Sequence, residues 1–181
     1  MGINPHKVPN EVEDWLLAQG AGPIQVSRPV SGGCISSGRV LMSCSGSSYF
    51  LKTNVEVPED FFPSEAVGLA ELAIPGGVRV PEVYLYGKEF ILMEDLGAGE
   101  PGERYWESLG SGLAAIHQHT SQEFGFKADN FIGTTPQPNM RGQDGFRFFA
   151  EQRLNFQTVL AHQRGLLENR HLRQVDRLIQ R

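Results

Sequence analysis

Lys52 is the side chain of this sequence best placed to act on a charged ligand. It lies inside an apolar run, Tyr49-Phe50-Leu51-Lys52-Thr53-Asn54, that is typical of a β-strand. A single lysine on such a strand is often only a solvated side chain. Here a glycine-rich turn precedes it, with Gly32 lying 20 residues earlier. Because a lysine on the strand beside such a turn can pair with the phosphates of a nucleotide, we treat Lys52 as a candidate phosphate-binding residue.

The glycine-rich turn is the segment SGGCISSG, residues 31–38, between two predicted strands. With little side-chain bulk, its backbone N–H groups can approach phosphate oxygens. The segment is neither a Walker A loop nor a Rossmann turn, because a strand follows it rather than a helix. Most hairpins of this kind only reverse the chain direction and bind nothing. The segment therefore indicates phosphate binding only together with the residues around it.

Two further features fit the same chemistry. Glu65 follows Lys52 by 13 residues, near the start of a predicted helix, where it would ion-pair with Lys52. The helix dipole alone also favours a glutamate in a first turn. The run Met93-Glu94-Asp95-Leu96 ends an apolar strand, where backbone groups can hydrogen-bond an adenine edge. In this order, the turn, the lysine, the glutamate and the strand end are typical of the smaller lobe of protein-kinase-like folds.

The elements that must position these residues are predicted from hydrophobic periodicity and turn signals. In chain order they are a helix over Pro9–Gln19, three antiparallel strands within 24–54, a helix over Phe62–Leu72, and strands over Val78–Tyr86 and Glu89–Leu96. Asn10 is the predicted N-cap of the first helix. Pro81 suits an edge or a bend better than a central strand.

A Gly/Pro stretch at 97–102 is the predicted boundary between two lobes. Residues 1–97 would form the ATP-binding N-lobe, and residues 98–181 a connector and the start of a helical C-lobe. In this second part we predict a helix ending near His119, an irregular segment over 121–144 and a helical tail in two pieces over 145–181.

Composition narrows the setting. A chain of 181 residues is long enough to bury a hydrophobic core. It has 16 basic and 21 acidic residues, so its net charge of −5 does not produce the positive field that nucleic-acid binding uses. Two cysteines make no disulfide framework, and no stretch resembles a signal peptide or a membrane span. We expect a cytoplasmic protein that binds neither nucleic acid nor membranes.

Eight segments between about residues 29 and 155 carry a closer resemblance: SGGCISSGRV, YFLKTN, SEAVGLAEL, VRVPEVY, FILMEDL, LAAIHQHT, FGFKADNFIGTTPQPN and FFAEQRL. On these segments the chain resembles the fructosamine kinase (ketosamine-3-kinase) family, relatives of the aminoglycoside phosphotransferases. The resemblance implies an α+β, protein-kinase-like fold with an antiparallel five-stranded N-lobe containing one helix, and the first helices of an incomplete α-helical C-lobe. It also implies ATP-dependent phosphorylation of the sugar 3-hydroxyl of ketosamines, free or on glycated protein lysines. Because the phosphorylated adduct is unstable, the modification is then removed.

The resemblance also implies roles for individual residues. The implied ATP-binding residues are Gly32, Gly33, Cys34, Ile35, Lys52, Glu65, Met93, Glu94, Asp95 and Leu96. Asn130, Gln137 and Asn139 are candidates for the substrate side, within a segment from Asp129 to Asn139 that matches a family signature. That segment is equally well interpreted as a loop that braces the larger lobe.

The chain departs from the family in its catalytic machinery. It contains no His-Gly-Asp loop, which in the family supplies the base aspartate and a metal-binding asparagine. We therefore assign no catalytic base and no metal ligand, and expect both, with the ligands of Mg²⁺, beyond Arg181. An N-terminal part of a working kinase is the favoured interpretation. A non-catalytic nucleotide-binding or interaction module is the alternative, and an aminoglycoside- or choline-type kinase is a third.

Cys34 has a separate implied role. Members of the family with the same cysteine imply a redox-sensitive thiol, and oxidation would then link two chains into a homodimer through Cys34. His117 and His119 do not form a metal pair, because residues two apart on a helix face different sides. Any metal is expected to be Mg²⁺ that arrives with ATP.

Overall fold

The computed structural model describes residues 8–33 and 35–180, so the roles predicted for Cys34 lie outside the described residues. The chain divides into two compact units, Met1–His119 and Thr120–Arg181. The lobe boundary predicted near residue 97 stays a prediction.

A five-stranded antiparallel sheet is the centre of the first unit. Its strands are β1 (Ile24–Val30), β2 (Ser37–Ser43), β3 (Ser48–Thr53), β4 (Val83–Tyr86) and β5 (Phe90–Glu94), in the spatial order β1-β2-β3-β5-β4. The predicted meander and the predicted α+β class are confirmed. The strand predicted over 78–86 is wrong in its first half, since only Val83–Tyr86 pairs with β5. Pro81 has no N–H to donate to a ladder, which accounts for the late start.

Both faces of the sheet are covered. On one face, helix α1 (Asn10–Ala18) buries Val12 and Leu16 against Leu41, Leu51 and Leu92 of the strands. On the other face, helix α2 (Phe61–Leu72) buries its Phe62 and Ala66 against β5. Each fully buried aliphatic or aromatic side chain contributes about 1.5–3 kcal/mol through removal from water. The two helices predicted over Pro9–Gln19 and Phe62–Leu72 thus both pack on the sheet, one more than the family resemblance implied.

The first helix begins differently from the prediction. Asn10 is its first helical residue, and the N-cap position is Pro9, which makes no side-chain cap. Proline is tolerated here because the first N–H groups of a helix have no partner within the helix. At the other end Gly20 has φ +71°, a left-handed value that glycine adopts without strain.

Helix α3 (Tyr105–Gln118) completes the first unit. Gly112 is buried and lies so close to the chain at 77–78 that a Cβ there would stand 3.0 Å from the backbone nitrogen of Val78. The absence of a side chain at Gly112 therefore sets how closely α3 approaches this segment.

The second unit is mainly helical. Helices α4 (Gly145–Phe149) and α5 (Phe156–Gln163) are joined by a π-helical stretch, Ala150–Asn155, and α6 (Asn169–Ile179) follows a turn. The predicted helical tail in two pieces is thereby confirmed. The segment predicted to be irregular, 121–144, instead contains a short hairpin of β6 (Asn130–Ile132) and β7 (Thr135–Gln137). Its strands are only three residues long, too short for an alternating pattern to show in the sequence.

Candidate functional site: a cleft on the sheet of the first unit

The face of the sheet that carries α2 also forms a cleft of about 670 Å³. Arg28, Val40, Phe50 and Met93 are directly opposite one another on β1, β2, β3 and β5, and all four line it. Because side chains on directly opposed residues share one face, this row forms a mostly apolar floor. Such a floor suits a flat, uncharged ring system.

A second row runs beside the first. Val30, Gly38, Lys52 and Ile91 are directly opposite one another on the same four strands. Gly38 has no side chain between Val30 and Lys52, and a Cβ there would stand 3.0 Å from the ring of Phe50 in the first row. The glycine thus makes room for the ring of Phe50, and no side chain projects from β2 at the position beside Lys52.

Lys52 is held by an ion pair with α2. Its Nζ lies 2.5 Å from Glu65 Oε1, and the two side chains are 29% and 27% exposed. Glu65 and Leu69, one turn apart on α2, both line the cleft. The pair predicted from the sequence is therefore present, and it fixes a cation at the wall of a mostly apolar cleft.

The strand end at 93–96 closes one side of the cleft. Met93 is 5% exposed, and Glu94, Asp95 and Leu96 line the opening after it. The N–H of Glu94 donates to the carbonyl of Glu82 at 2.8 Å, so that N–H is not available to a ligand. Any hydrogen bond from a base to this residue would involve its carbonyl oxygen.

Both acidic side chains at this strand end have partners within the chain. The Glu94 carboxylate forms an ion pair with Arg79 Nη2 and also accepts a hydrogen bond from the N–H of Glu82 at 3.4 Å. Asp95 Oδ1 accepts a hydrogen bond from the N–H of Gly97 at 3.0 Å, and Gly97 has φ +68°. Among the described residues, no hydrogen bond involves the N–H of Leu96, which leaves it for a ligand.

The glycine-rich turn has a conformation that depends on its glycines. Gly32 has φ +130°, and a Cβ on Gly33 would lie 2.8 Å from the carbonyl oxygen of Ser36. Of the turn residues that the structure describes, none lines the cleft, so Gly32, Gly33 and Ile35 lie outside the group of cleft residues to which Lys52 belongs. Their predicted contact with phosphates stays a prediction.

The three substrate-side candidates lie in the second unit. Asn139 is 3% exposed, and its Nδ2 donates to the carbonyl of Ala128 at 3.1 Å and to Asn130 Oδ1 at 2.9 Å. Asn130 and Gln137 face each other across the β6–β7 hairpin. The side-chain amide of Asn139 is thus occupied by contacts within its own unit.

Arg153 completes this network from the π-helical stretch. Its Nη2 donates to Asn139 Oδ1 and its Nη1 to the carbonyl of Pro138, each at 2.5 Å, while the guanidinium lies 4.7 Å from the ring centre of Phe148. Burial lowers the pKa of Arg153, and the nearby Asp129 opposes that shift. An arginine pKa is high enough that the side chain keeps its charge. These contacts support the bracing interpretation of the segment from Asp129 to Asn139.

The residues present fit a nucleotide better than they fit a resident metal. An apolar floor, a paired lysine and an open backbone N–H match a base and its phosphates. Among residues 8–33 and 35–180, no three His, Cys, Asp or Glu side chains lie close enough together to hold a metal ion. Likewise, no helix in this part of the chain has the length and apolarity needed to cross a membrane.

Several cleft residues were missed from the sequence. They are Arg28, Val30, Val40, Phe50 and Leu69. For the strand residues among them, the available signal was alternation, since Arg28 and Val30, like Phe50 and Lys52, are two apart and therefore face the same side. On neighbouring strands, the register is also needed to place such residues on one face. Leu69 follows Glu65 by one helical turn on α2.

Comparison with solved structures defines the class of fold. A protein from Thermobifida fusca assigned as a fructosamine-3-kinase superposes with a TM-score of 0.80 at 24% identity, covering 96% of this chain and 61% of its own. At that identity the likeness shows the fold, which is the protein-kinase-like fold.

The family follows from the sequence comparison. The fructosamine kinase family model matches residues 10–181, and the chain belongs to that family. A probable ketoamine kinase of Synechocystis sp. is 39% identical over 147 residues, which are 78% of this chain and 50% of that protein. A chloroplastic protein-ribulosamine 3-kinase of Oryza sativa subsp. indica is 35% identical over 162 residues, 84% of this chain and 46% of that protein. The chain spans about half the length of these curated relatives.

Proposed function

We propose that this chain supplies the nucleotide-binding part of a kinase that transfers phosphate from ATP to the sugar 3-hydroxyl of a ketosamine. The substrates would be fructosamines or ribulosamines, free or attached to protein lysines, and the result would be removal of the modification. The observation that carries the proposal is the ion pair of Lys52 and Glu65 at the wall of a mostly apolar cleft, in a chain of this family.

Each part of the cleft has a proposed task. The base would lie on Val40, Phe50 and Met93, with its edge against the carbonyl of Glu94 and the N–H of Leu96. Lys52, oriented by Glu65, would contact the phosphates. The turn containing Gly32, Gly33, Cys34 and Ile35 would cover those phosphates from above.

Mg²⁺ would accompany ATP and neutralise phosphate charge during transfer. The described residues provide no cluster of ligands for it, so this part of the proposal assigns Mg²⁺ to the nucleotide and to no side chain named here. A cytoplasmic location and a homodimer through Cys34 also stay predictions.

The test is ATP consumption in the presence of fructose-lysine, ribulose-lysine, an aminoglycoside or choline. It would use this chain and any longer polypeptide that contains it, with phosphorus NMR to locate the new ester. Consumption that requires a ketosamine and places phosphate on the 3-hydroxyl supports the proposal. Consumption with an aminoglycoside or choline alone refutes it, and ATP binding without turnover in both polypeptides favours a non-catalytic module.

A further inference from the structure

Ahead of β2, the described residues 31–33, 35 and 36 of the glycine-rich turn are connected to the chain just after β3 by one side chain, Asn54. Its Nδ2 donates to the carbonyl oxygen of Ile35 at 2.6 Å. Its Oδ1 accepts from the N–H of Glu56 at 2.8 Å. With both ends of the amide engaged, the orientation of the side chain is determined by its partners.

Asn54 is itself firmly placed. It comes directly after β3, two residues beyond Lys52, and its N–H donates to the carbonyl of Glu89 at 3.0 Å. The backbone of Asn54 is thus anchored to the residue just before β5, while its side chain reaches across to the turn. The turn is therefore connected to the same strand that holds Lys52.

The end of the turn is held by the pairing of Ser37 and Gly38 with β3. Its earlier residues, as far as the structure describes them, have few restraints. For residues 31–33 and 35–36, the described part of the chain provides one hydrogen bond, the bond from Asn54 to Ile35. Gly32 and Gly33 add backbone freedom, because glycine loses more conformational entropy on ordering than other residues. A turn this free would have to be ordered by its ligand at a cost in affinity, unless it is held beforehand.

We propose that Asn54 is a positioning residue that holds the glycine-rich turn in the conformation that accepts nucleotide phosphates. This inference rests on the proposed function of the cleft. Asn54 makes no contact with the ligand in this role. It acts through the carbonyl of Ile35, which leaves the N–H groups of the turn for phosphate oxygens.

Two variants distinguish the hydrogen bond from Asn54 to Ile35 from the hydrogen bond that Asn54 accepts from the N–H of Glu56. Asn54→Asp keeps the acceptor for the N–H of Glu56 but removes the donor to Ile35 and adds a negative charge. Asn54→Ala removes both bonds and adds no charge. The lost bond to Ile35 is the feature that the two variants share, so an effect common to both is due to the tether.

The experiment is calorimetric titration of the 181-residue chain and both variants with ATP and with adenosine. Loss of one hydrogen bond of ordinary net strength lowers affinity about five- to tenfold. We expect that loss for ATP in both variants, with adenosine affinity changed less than about twofold. Wild-type ATP affinity in either variant, or an equal loss for adenosine, would overturn the proposal.

A second measurement does not depend on nucleotide. Backbone NMR order parameters of Gly32, Gly33, Ile35 and Ser36 in the ligand-free chain should fall in both variants. Unchanged order parameters would refute the tether. If the wild-type chain bound neither ATP nor adenosine, the proposed function would fail, and the order parameters would still decide whether Asn54 restrains the turn.

Discussion

Lys52 and Glu65, 13 residues apart in the sequence, meet with Nζ and Oε1 separated by 2.5 Å. The first belongs to a central strand and the second to the helix that covers the sheet. Because each side chain is only about a quarter exposed, the pair is screened less than a surface ion pair. The consequence is a lysine whose ammonium group is held at one place in the cleft.

The first prediction concerns that lysine. Lys52→Met should lower ATP affinity about tenfold or more, since a hydrogen bond to a charged group contributes about 1.5–3 kcal/mol. Glu65→Gln should lower it less, because the lysine keeps its charge and loses its position. Titration of the chain with ATP and adenosine measures both effects.

Lys88→Met, at an exposed lysine in the turn between β4 and β5, is the matched control and should bind like the wild type. Equal losses in the two lysine variants would show that the effect is one of net charge alone.

The second prediction uses two glycines of one helix. A Cβ added to Gly110 of α3 would have no atom within 4 Å, whereas a Cβ on Gly112 would meet the backbone of Val78 at 3.0 Å. Gly110→Ala should therefore raise the free energy of unfolding by about 0.5–1 kcal/mol through reduced backbone entropy. Gly112→Ala should lower it by about 1–3 kcal/mol, because backbone on both sides must shift. Urea denaturation of both variants measures the difference, and a stabilised Gly112→Ala would contradict the described packing of α3.

Sequence patterns predicted the sheet better than the second unit. The three strands of the meander and β5 alternate or run apolar over five to seven residues, and these strands are present in the structure. The β6–β7 hairpin was missed, since three residues per strand carry no periodic signal. Its restraint comes from Asn139 and Arg153, which are 14 residues apart and whose contact depends on tertiary structure.

Only part of the candidate site could be predicted, because some of its residues are recognisable from local sequence and others only from tertiary structure. Lys52 and Glu65 were recognised because a charged residue stands out on an apolar strand or near a helix start. Val40 and Phe50 look like ordinary core residues in the sequence, and only the register of the strands shows that they face the cleft. Nothing in the sequence singles out Asn54, because its bond to Ile35 joins residues 19 apart.

The third prediction tests the brace in the second unit. Asn139→Ala should lower the free energy of unfolding by about 1–3 kcal/mol, because it empties a buried position and removes the hydrogen bonds to Ala128 and Arg153. Arg153→Lys should not preserve stability, since an ammonium group cannot make the two-pronged contact with Pro138 and Asn139. Thermal unfolding measures both variants. An Asn139→Ala chain of unchanged stability would favour a place for Asn139 in a sugar pocket.

The fourth prediction concerns Arg79, whose side chain is 70% exposed and pairs with Glu94 at the cleft. Arg79→Gln should change the free energy of unfolding by less than about 1 kcal/mol, as for other exposed pairs. It leaves the Glu94 carboxylate without its counter-charge beside a site proposed for a polyanion, so ATP affinity should fall about two- to threefold at low ionic strength. Because salt screens charges beyond about 10 Å at 0.1 M, the loss should shrink as salt is added.

Adding Glu94→Gln to the Arg79→Gln chain should restore ATP affinity. A loss that persists at high salt and in the double variant would mean that Arg79 acts by shaping the strand end and not through charge.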